Sequence, residues 1–186
     1  MVLKSEENDI QSHHPATVMT IYSDNHGETW SLGEAIPSAN VTDPNESTIA
    51  ELNNGGFVMN IRNESRQRYR AIAISETGIK NWSEMRLDTS LPDPMCFGSM
   101  ARFDEKNIFF INCCSQEKRE NLTVYITNDD CKSWKALQSI QKAGGYADIA
   151  VDQNETVHVL HEKLDYEGNS LGFSIYCDDY ELLQLK

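Results

Sequence analysis

The sequence predicts an all-β fold, a partial β-propeller of about three to four four-stranded blades, and three observations predict it. The first is a repeat: the only tryptophans are Trp30, Trp82 and Trp134, so both gaps are 52 residues. The second is a series of short β-branched and aromatic runs separated by turn signals. The third is the lack of helical periodicity over any useful length. Roughly four strands per repeat is the size of one propeller blade.

Each tryptophan closes a copy of one eight-residue pattern. Ser23-Asp-Asn-His-Gly-Glu-Thr-Trp30 is the clearest, Ser75-Glu-Thr-Gly-Ile-Lys-Asn-Trp82 the most degenerate, and Thr127-Asn-Asp-Asp-Cys-Lys-Ser-Trp134 lies between them. Each copy follows a strand-like run: Thr17–Tyr22, Ala71–Ile74 and Leu122–Ile126. A polar turn after a strand reads as a hairpin, with the hydroxyl of Ser23, Ser75 or Thr127 and the side chain of Asn25 or Asp129 bonding the turn's own backbone. Gly27 fits a position needing positive φ, and the tryptophan packs its ring under the turn. Further strands are expected at Thr48–Leu52, Phe57–Ile61, Ser99–Phe103, Ile108–Asn112, Ile149–Val151, Thr156–His161 and Phe173–Cys177. Residues 1–16 read as a disordered or truncated segment, and 17–186 as propeller blades.

At 52 residues per blade, 186 residues make about three and a half blades, fewer than the roughly four of the smallest propellers. An open arc exposes sheet edges, so a missing N-terminal half or a partner chain is expected. Composition is that of a globular chain, 39% hydrophobic and 24% charged, with a net charge of −13. That charge argues against nucleic acid or an anionic membrane as partner, and no run is long enough to span a bilayer. An anionic ligand would need a local cluster of arginines. No apolar stretch near Met1 resembles a secretory signal, so the compartment is cytoplasmic or the true N-terminus lies elsewhere. The five cysteines are odd in number and lack Cys-x-x-Cys spacing, which favours buried thiols over a zinc site or a disulfide framework. His13-His14 has no third ligand at sensible spacing, so neither metal nor cofactor is expected. Six Asn-x-Ser/Thr sequons begin at Asn40, Asn45, Asn63, Asn81, Asn121 and Asn154.

The repeated turn resembles the Asp-box of sialidases, with Asn25 in place of Asp and Cys131 in place of Gly; the box is a structural element and occurs in other propellers. Four further segments resemble sialidase motifs in the family's order. Asn45-Glu46-Ser-Thr-Ile-Ala-Glu-Leu52 with Gly55-Gly56-Phe-Val-Met-Asn60-Ile-Arg62 resembles a stretch in which a Glu precedes one strand and Asn-x-Arg ends the next. Gly98-Ser-Met-Ala-Arg102 with Asn107-Ile-Phe-Phe-Ile-Asn112 resembles a second strand pair, although Cys113-Cys114 departs from the family pattern. Arg119-Glu-Asn-Leu-Thr-Val124 and Gly144-Gly145-Tyr146-Ala-Asp148 with Val159-Leu-His-Glu162 complete the set.

The resemblance implies a portion of a six-bladed sialidase fold that acts on sialylated glycans. It implies Tyr146 as nucleophile, Glu46 as its carboxylate partner, Arg62 and Arg119 as two members of an arginine triad, and Glu162 as a supporting carboxylate. The chemistry is coherent. Sialic acid carries a carboxylate on its anomeric carbon, and arginine forks bind carboxylates through charge-assisted pairs. That carboxylate repels an anionic nucleophile, whereas a neutral phenol with a carboxylate base avoids the repulsion. Nothing before residue 17 resembles the family's first triad arginine or its Asp general acid. Other readings remain for single residues: Arg62 with Arg66, Arg68 and Arg70 as a solvated basic loop, Arg119 as part of an exposed charged turn, Glu162 as a plain strand end, and the whole chain as a non-catalytic propeller fragment binding glycans or protein partners.

Overall fold

The computed structural model describes residues 2–3, 15–164 and 170–180. Among them every regular element is a strand, and no helix is long and apolar enough to cross a membrane. In chain order the strands are β1 (Val2–Leu3), β2 (Ala16–Thr17), β3 (Met19–Tyr22), β4 (Ser31–Ala35), β5 (Ser47–Glu51), β6 (Phe57–Ile61), β7 (Tyr69–Ser75), β8 (Arg86–Pro92), β9 (Ser99–Arg102), β10 (Ile108–Cys113), β11 (Glu120–Thr127), β12 (Lys135–Val151), β13 (Val157–Leu164) and β14 (Ser170–Tyr180). The rest of the 1–16 segment, His13-His14 included, lies outside the described residues.

The chain forms two compact units, Met1–Thr89 and Ser90–Lys186. In the first, β1 pairs with β2, β3 with β4, and β5-β6-β7-β8 form a four-stranded meander. Its core is Val18, Ile36, Val41, Met59, Ile61, Ala71, Ala73, Trp82 and Met85. In the second, six strands run in the order β14-β13-β12-β11-β10-β9. Its core gathers Cys96, Phe109, Ile111, Cys113, Leu122, Val124, Ile126, Ala147, Ile149, Val157 and Val159. All pairings with a given register are antiparallel. β6 and β10 are buried nearly throughout, so they lie in sheets covered on both faces. Full burial of one side chain such as Phe109 is worth roughly 1.5–3 kcal/mol. Asn60 on β6 and Asn112 on β10, 52 positions apart, are both fully buried. The repeat therefore extends inward from the turns to the strands.

The three turns share a hydrogen-bond plan. Ser23 Oγ accepts the Gly27 N–H at 2.8 Å, and Asn25 Oδ1 accepts the Thr29 N–H at 2.9 Å. Thr127 Oγ1 accepts the Cys131 N–H at 3.2 Å, and Asp129 Oδ1 accepts the Ser133 N–H at 3.0 Å. In the degenerate copy Ser75 Oγ accepts the Gly78 N–H at 3.1 Å. Gly27 has φ 90°, as expected, and Cys131 adopts φ 59° at the matching place. The tryptophans differ. Trp82 is core, whereas Trp30 donates its indole N–H to the Gly27 carbonyl yet remains 61% exposed. Trp134 stands beside Phe110, with ring centroids 5.6 Å apart.

Cys96, Cys113 and Cys131 are buried free thiols and Cys114 is half-buried. The side chain of Cys177 lies outside the described ones. Asn45 and Asn63 are buried sequon residues whose amides are committed to the backbone, Asn45 Nδ2 to the Asp43 carbonyl and Asn63 Nδ2 to the Tyr69 carbonyl. A glycan at either would break the fold.

Candidate active site

Each unit carries one group of the expected residues. In the first, Glu46 and Arg62 flank the open end of the β5–β6 hairpin. The ladder puts Ser47 opposite Ile61, and one step further Arg62 N–H donates to the Glu46 carbonyl at 2.9 Å. Asn45 N–H in turn donates to the Arg62 carbonyl at 2.9 Å. The two side chains form an ion pair from Arg62 Nη1 to Glu46 Oε2, and both are mostly shielded. Asn45 fixes the local backbone: its Oδ1 accepts the Glu46 N–H at 2.8 Å, and its carbonyl accepts Ser47 Oγ–H at 2.7 Å. The neighbouring arginines do not form one solvated loop. Arg66 is exposed, but Arg70 is fully buried on β7 and donates its Nε–H to Asn60 Oδ1 at 2.7 Å.

In the second unit, β12 serves two partners. Its first half, as far as Ala143, pairs with β11, and its second half, from Gly144, pairs with β13. Between them the register slips: Gly144 faces Lys163 and Ala147 faces His161, leaving Gly145 and Tyr146 opposite Glu162 alone. This is a β-bulge, and bulges re-aim side chains beside functional sites. Glu162 holds the bulge, with Oε2 accepting the Tyr146 N–H at 3.0 Å. A Cβ on Gly145 would meet the Glu162 carboxylate and push it off the Tyr146 N–H. Arg119, exposed just before β11, accepts the Gly144 N–H on its carbonyl at 3.2 Å. Its guanidinium carbon lies 5.2 Å from the centre of the Tyr146 ring. The structure thus brings Tyr146, Arg119 and Glu162 together, and separately joins Glu46 to Arg62.

Beneath the bulge the chemistry is neutral. Cys113 Sγ–H points to the Gly145 carbonyl at 3.6 Å. A hydrogen bond with Cys96, then burial, pushes the Cys113 thiol far up, so it packs as an apolar group. Burial likewise pushes the Tyr125 phenol up and keeps it neutral. Two further contacts add to the site. Phe97 stands beside Tyr146, with ring centroids 5.7 Å apart. Ser99 Oγ donates to Asp148 Oδ1, tying β9 to β12. Phe97 has no spacing or partner that a single chain displays, whereas Ser99 and Asp148 lie inside the motifs named above.

The model of the BNR repeat-like domain matches residues 5–159. A sialidase from Micromonospora viridifaciens is 29% identical over 154 residues, covering 77% of this chain and 23% of that protein. A sialidase from Paraclostridium sordellii is 28% identical over 183 residues, covering 84% of this chain and 41% of the relative. Among solved structures, the NanB sialidase of Streptococcus pneumoniae superposes with a TM-score of 0.76 at 21% identity, over 91% of this chain and 28% of that one. The chain therefore spans under half the length of these relatives, and the structural likeness establishes a sialidase-like all-β propeller fold. The chain belongs to the BNR repeat-like domain family, and the relatives it matches there are sialidases.

Proposed function

We propose that this chain carries the nucleophile half of an exo-α-sialidase, acting on terminal sialic acid of glycoconjugates with retention. Arg62 and Arg119 hold the substrate carboxylate through charge-assisted hydrogen bonds. The Tyr146 oxygen attacks the anomeric carbon while Glu46 takes the phenolic proton, and the glycosidic C–O bond breaks. The leaving oxygen takes its proton from solvent; water then attacks the same carbon and releases a proton to solvent, the tyrosine oxygen leaves, and Glu46 returns the phenolic proton. Glu162 contributes by fixing the bulge that presents Tyr146. The proposal requires the Glu46–Arg62 group and the Tyr146–Arg119 group to meet around one sugar.

The observation that carries this reading is the bulge. A tyrosine is lifted out of a strand ladder, its N–H taken by a carboxylate and its ring under an arginine. A packing tyrosine needs none of these.

A difluorinated sialic acid, with fluoride on the anomeric carbon and on its neighbour, tests the proposal. Fluoride leaves without a proton from the protein, so trapping depends on the nucleophile, its base and the arginines. Incubation should add one sugar mass, and peptide mapping should locate it on Tyr146. Tyr146→Phe should abolish labelling, and Glu46→Gln should slow it by about 10²-fold or more. Labelling elsewhere, or none at all in the folded chain, rejects the proposal.

A further inference from the structure

Phe97 lies in the 93–98 connection between β8 and β9, and this short arm is fixed on both sides. At its start, Asn112 Nδ2–H donates to the Pro92 carbonyl at 2.8 Å. Cys96, fully buried in the core, donates its N–H to Asp93 Oδ1 at 3.4 Å. Met95 is held at φ 60°, a conformation that side-chain-bearing residues adopt only when the surroundings impose it. Gly98 has no room for a Cβ, which would lie 2.7 Å from the Ile111 carbonyl and 2.8 Å from Phe110 Cζ. Phe97 itself is only half-buried, and its ring lies 5.7 Å from that of Tyr146 at an interplanar angle of 41°. The arm is fixed, and it ends in a half-buried aromatic ring. Its evident product is a fixed neighbour for the phenol.

We propose that Phe97 is a positioning residue for Tyr146: with Arg119 on the same ring, it holds the phenol in one orientation and keeps water from part of it. This deepens the sialidase proposal and rests on Tyr146 being its nucleophile. The bulge frees the Tyr146 backbone from the ladder, so side-chain contacts must supply the orientation the ladder would otherwise impose. Attack requires the phenol oxygen in line with the anomeric carbon, and small misplacements of a reacting group are costly in rate.

Two variants and two readouts test the proposal on the full chain. The phenol titration is followed by phenolate absorbance, with Tyr146→Phe as the blank. An apolar neighbour disfavours the phenolate, so Phe97→Ala should lower the Tyr146 titration by about half a pH unit or more. Phe97→Leu should keep most of the wild-type titration. Trapping by the difluorinated sugar should slow by about 2- to 12-fold in both variants, the range set by an aromatic pair, with the half-saturating sugar concentration unchanged. An unchanged titration and trapping rate in a folded Phe97→Ala overturns the proposal. Should that variant not fold, an unchanged trapping rate in Phe97→Leu overturns it. The titration needs no turnover. A chain in which Tyr146 is never labelled, yet its titration moves with Phe97, therefore sinks the sialidase reading and keeps the ring contact.

Discussion

Asp129 and Asn25 hold the same place in two copies of the turn and differ by one charge. Asp129 accepts from Lys132 N–H at 3.1 Å, Ser133 N–H at 3.0 Å, Ser133 Oγ–H at 2.6 Å and Thr127 Oγ1–H at 2.8 Å. Burial pushes its carboxyl up, but the Ser133 bonds, then those from Thr127 and Lys132, outweigh it and hold it below the usual range. A carboxyl lowered on folding adds stability above its unfolded pKa, about 4, and loses it as pH falls through the folded value. Asp129→Asn should still close the turn, as Asn25 does with Nδ2–H to Thr29 Oγ1 at 2.9 Å, but at pH 7 it should be less stable than the wild type by the carboxylate's contribution. In acid the variant should lose less stability than the wild type. The flattening is partial, because two other turn carboxylates are also held low: Asp104, where Lys106 and Asn107 donors outweigh burial, and Asp152, chiefly through the Thr156 N–H. Asp129→Ala, which removes every acceptor, should cost about 1–2 kcal/mol. Urea unfolding across acid pH measures all three proteins, and parallel pH slopes for wild type and Asp129→Asn would refute the assignment.

At the scale of elements, the central strands depend on close backbone approach more than on any single contact. Gly98 sits where β9 begins, against the Ile111 carbonyl of β10 and the ring of Phe110. β10 is buried at all six positions, so it has no free side toward which to move. Gly98→Ala should cost about 1–3 kcal/mol by overpacking. The urea midpoint reads the cost, and an unchanged midpoint would mean that β9 can shift freely. The same physics decides what could be read from the chain alone. Phe57–Ile61 and Ile108–Asn112 stand out as apolar runs because both faces of those strands are covered. β4 gives no strand signal of its own because Ser31–Ala35 is largely exposed and carries no burial pattern, and β8 gives none because Arg86–Pro92 mixes exposed and buried residues irregularly. β12 was expected only at Ile149–Val151; its 17 residues include Gln138, Gln141 and Lys142, and they form one strand because two different neighbours pair with its halves. The bulge, and the arm bearing Phe97, are tertiary outcomes that no local pattern in the sequence encodes.

At the scale of the molecule, Glu46 and Arg62 belong to one unit and Tyr146, Arg119 and Glu162 to the other. In the proposal, Tyr146, Glu46, Arg62 and Arg119 act at the anomeric carbon and the carboxylate beside it, and Glu162 holds the bulge. None is assigned in the proposal to the leaving oxygen. The leaving group's own acidity should then govern the rate. An aryl sialoside releases a stabilised phenolate and needs little help, whereas a sugar alkoxide needs a proton in the transition state. General acid catalysis contributes about 10²–10⁴-fold. The purified 186-residue chain should therefore favour a fluorogenic aryl sialoside over a sialyl-oligosaccharide by at least about 10²-fold in kcat/KM. Its net charge of −13 opposes the anionic substrate at long range, so KM for both should fall as salt rises and screens the repulsion. The arginine pair at short range is screened less and should hold its substrate. Near parity between the two leaving groups would show that some side chain here already delivers the proton, and the leaving-group side of the mechanism would have to be reassigned within this chain.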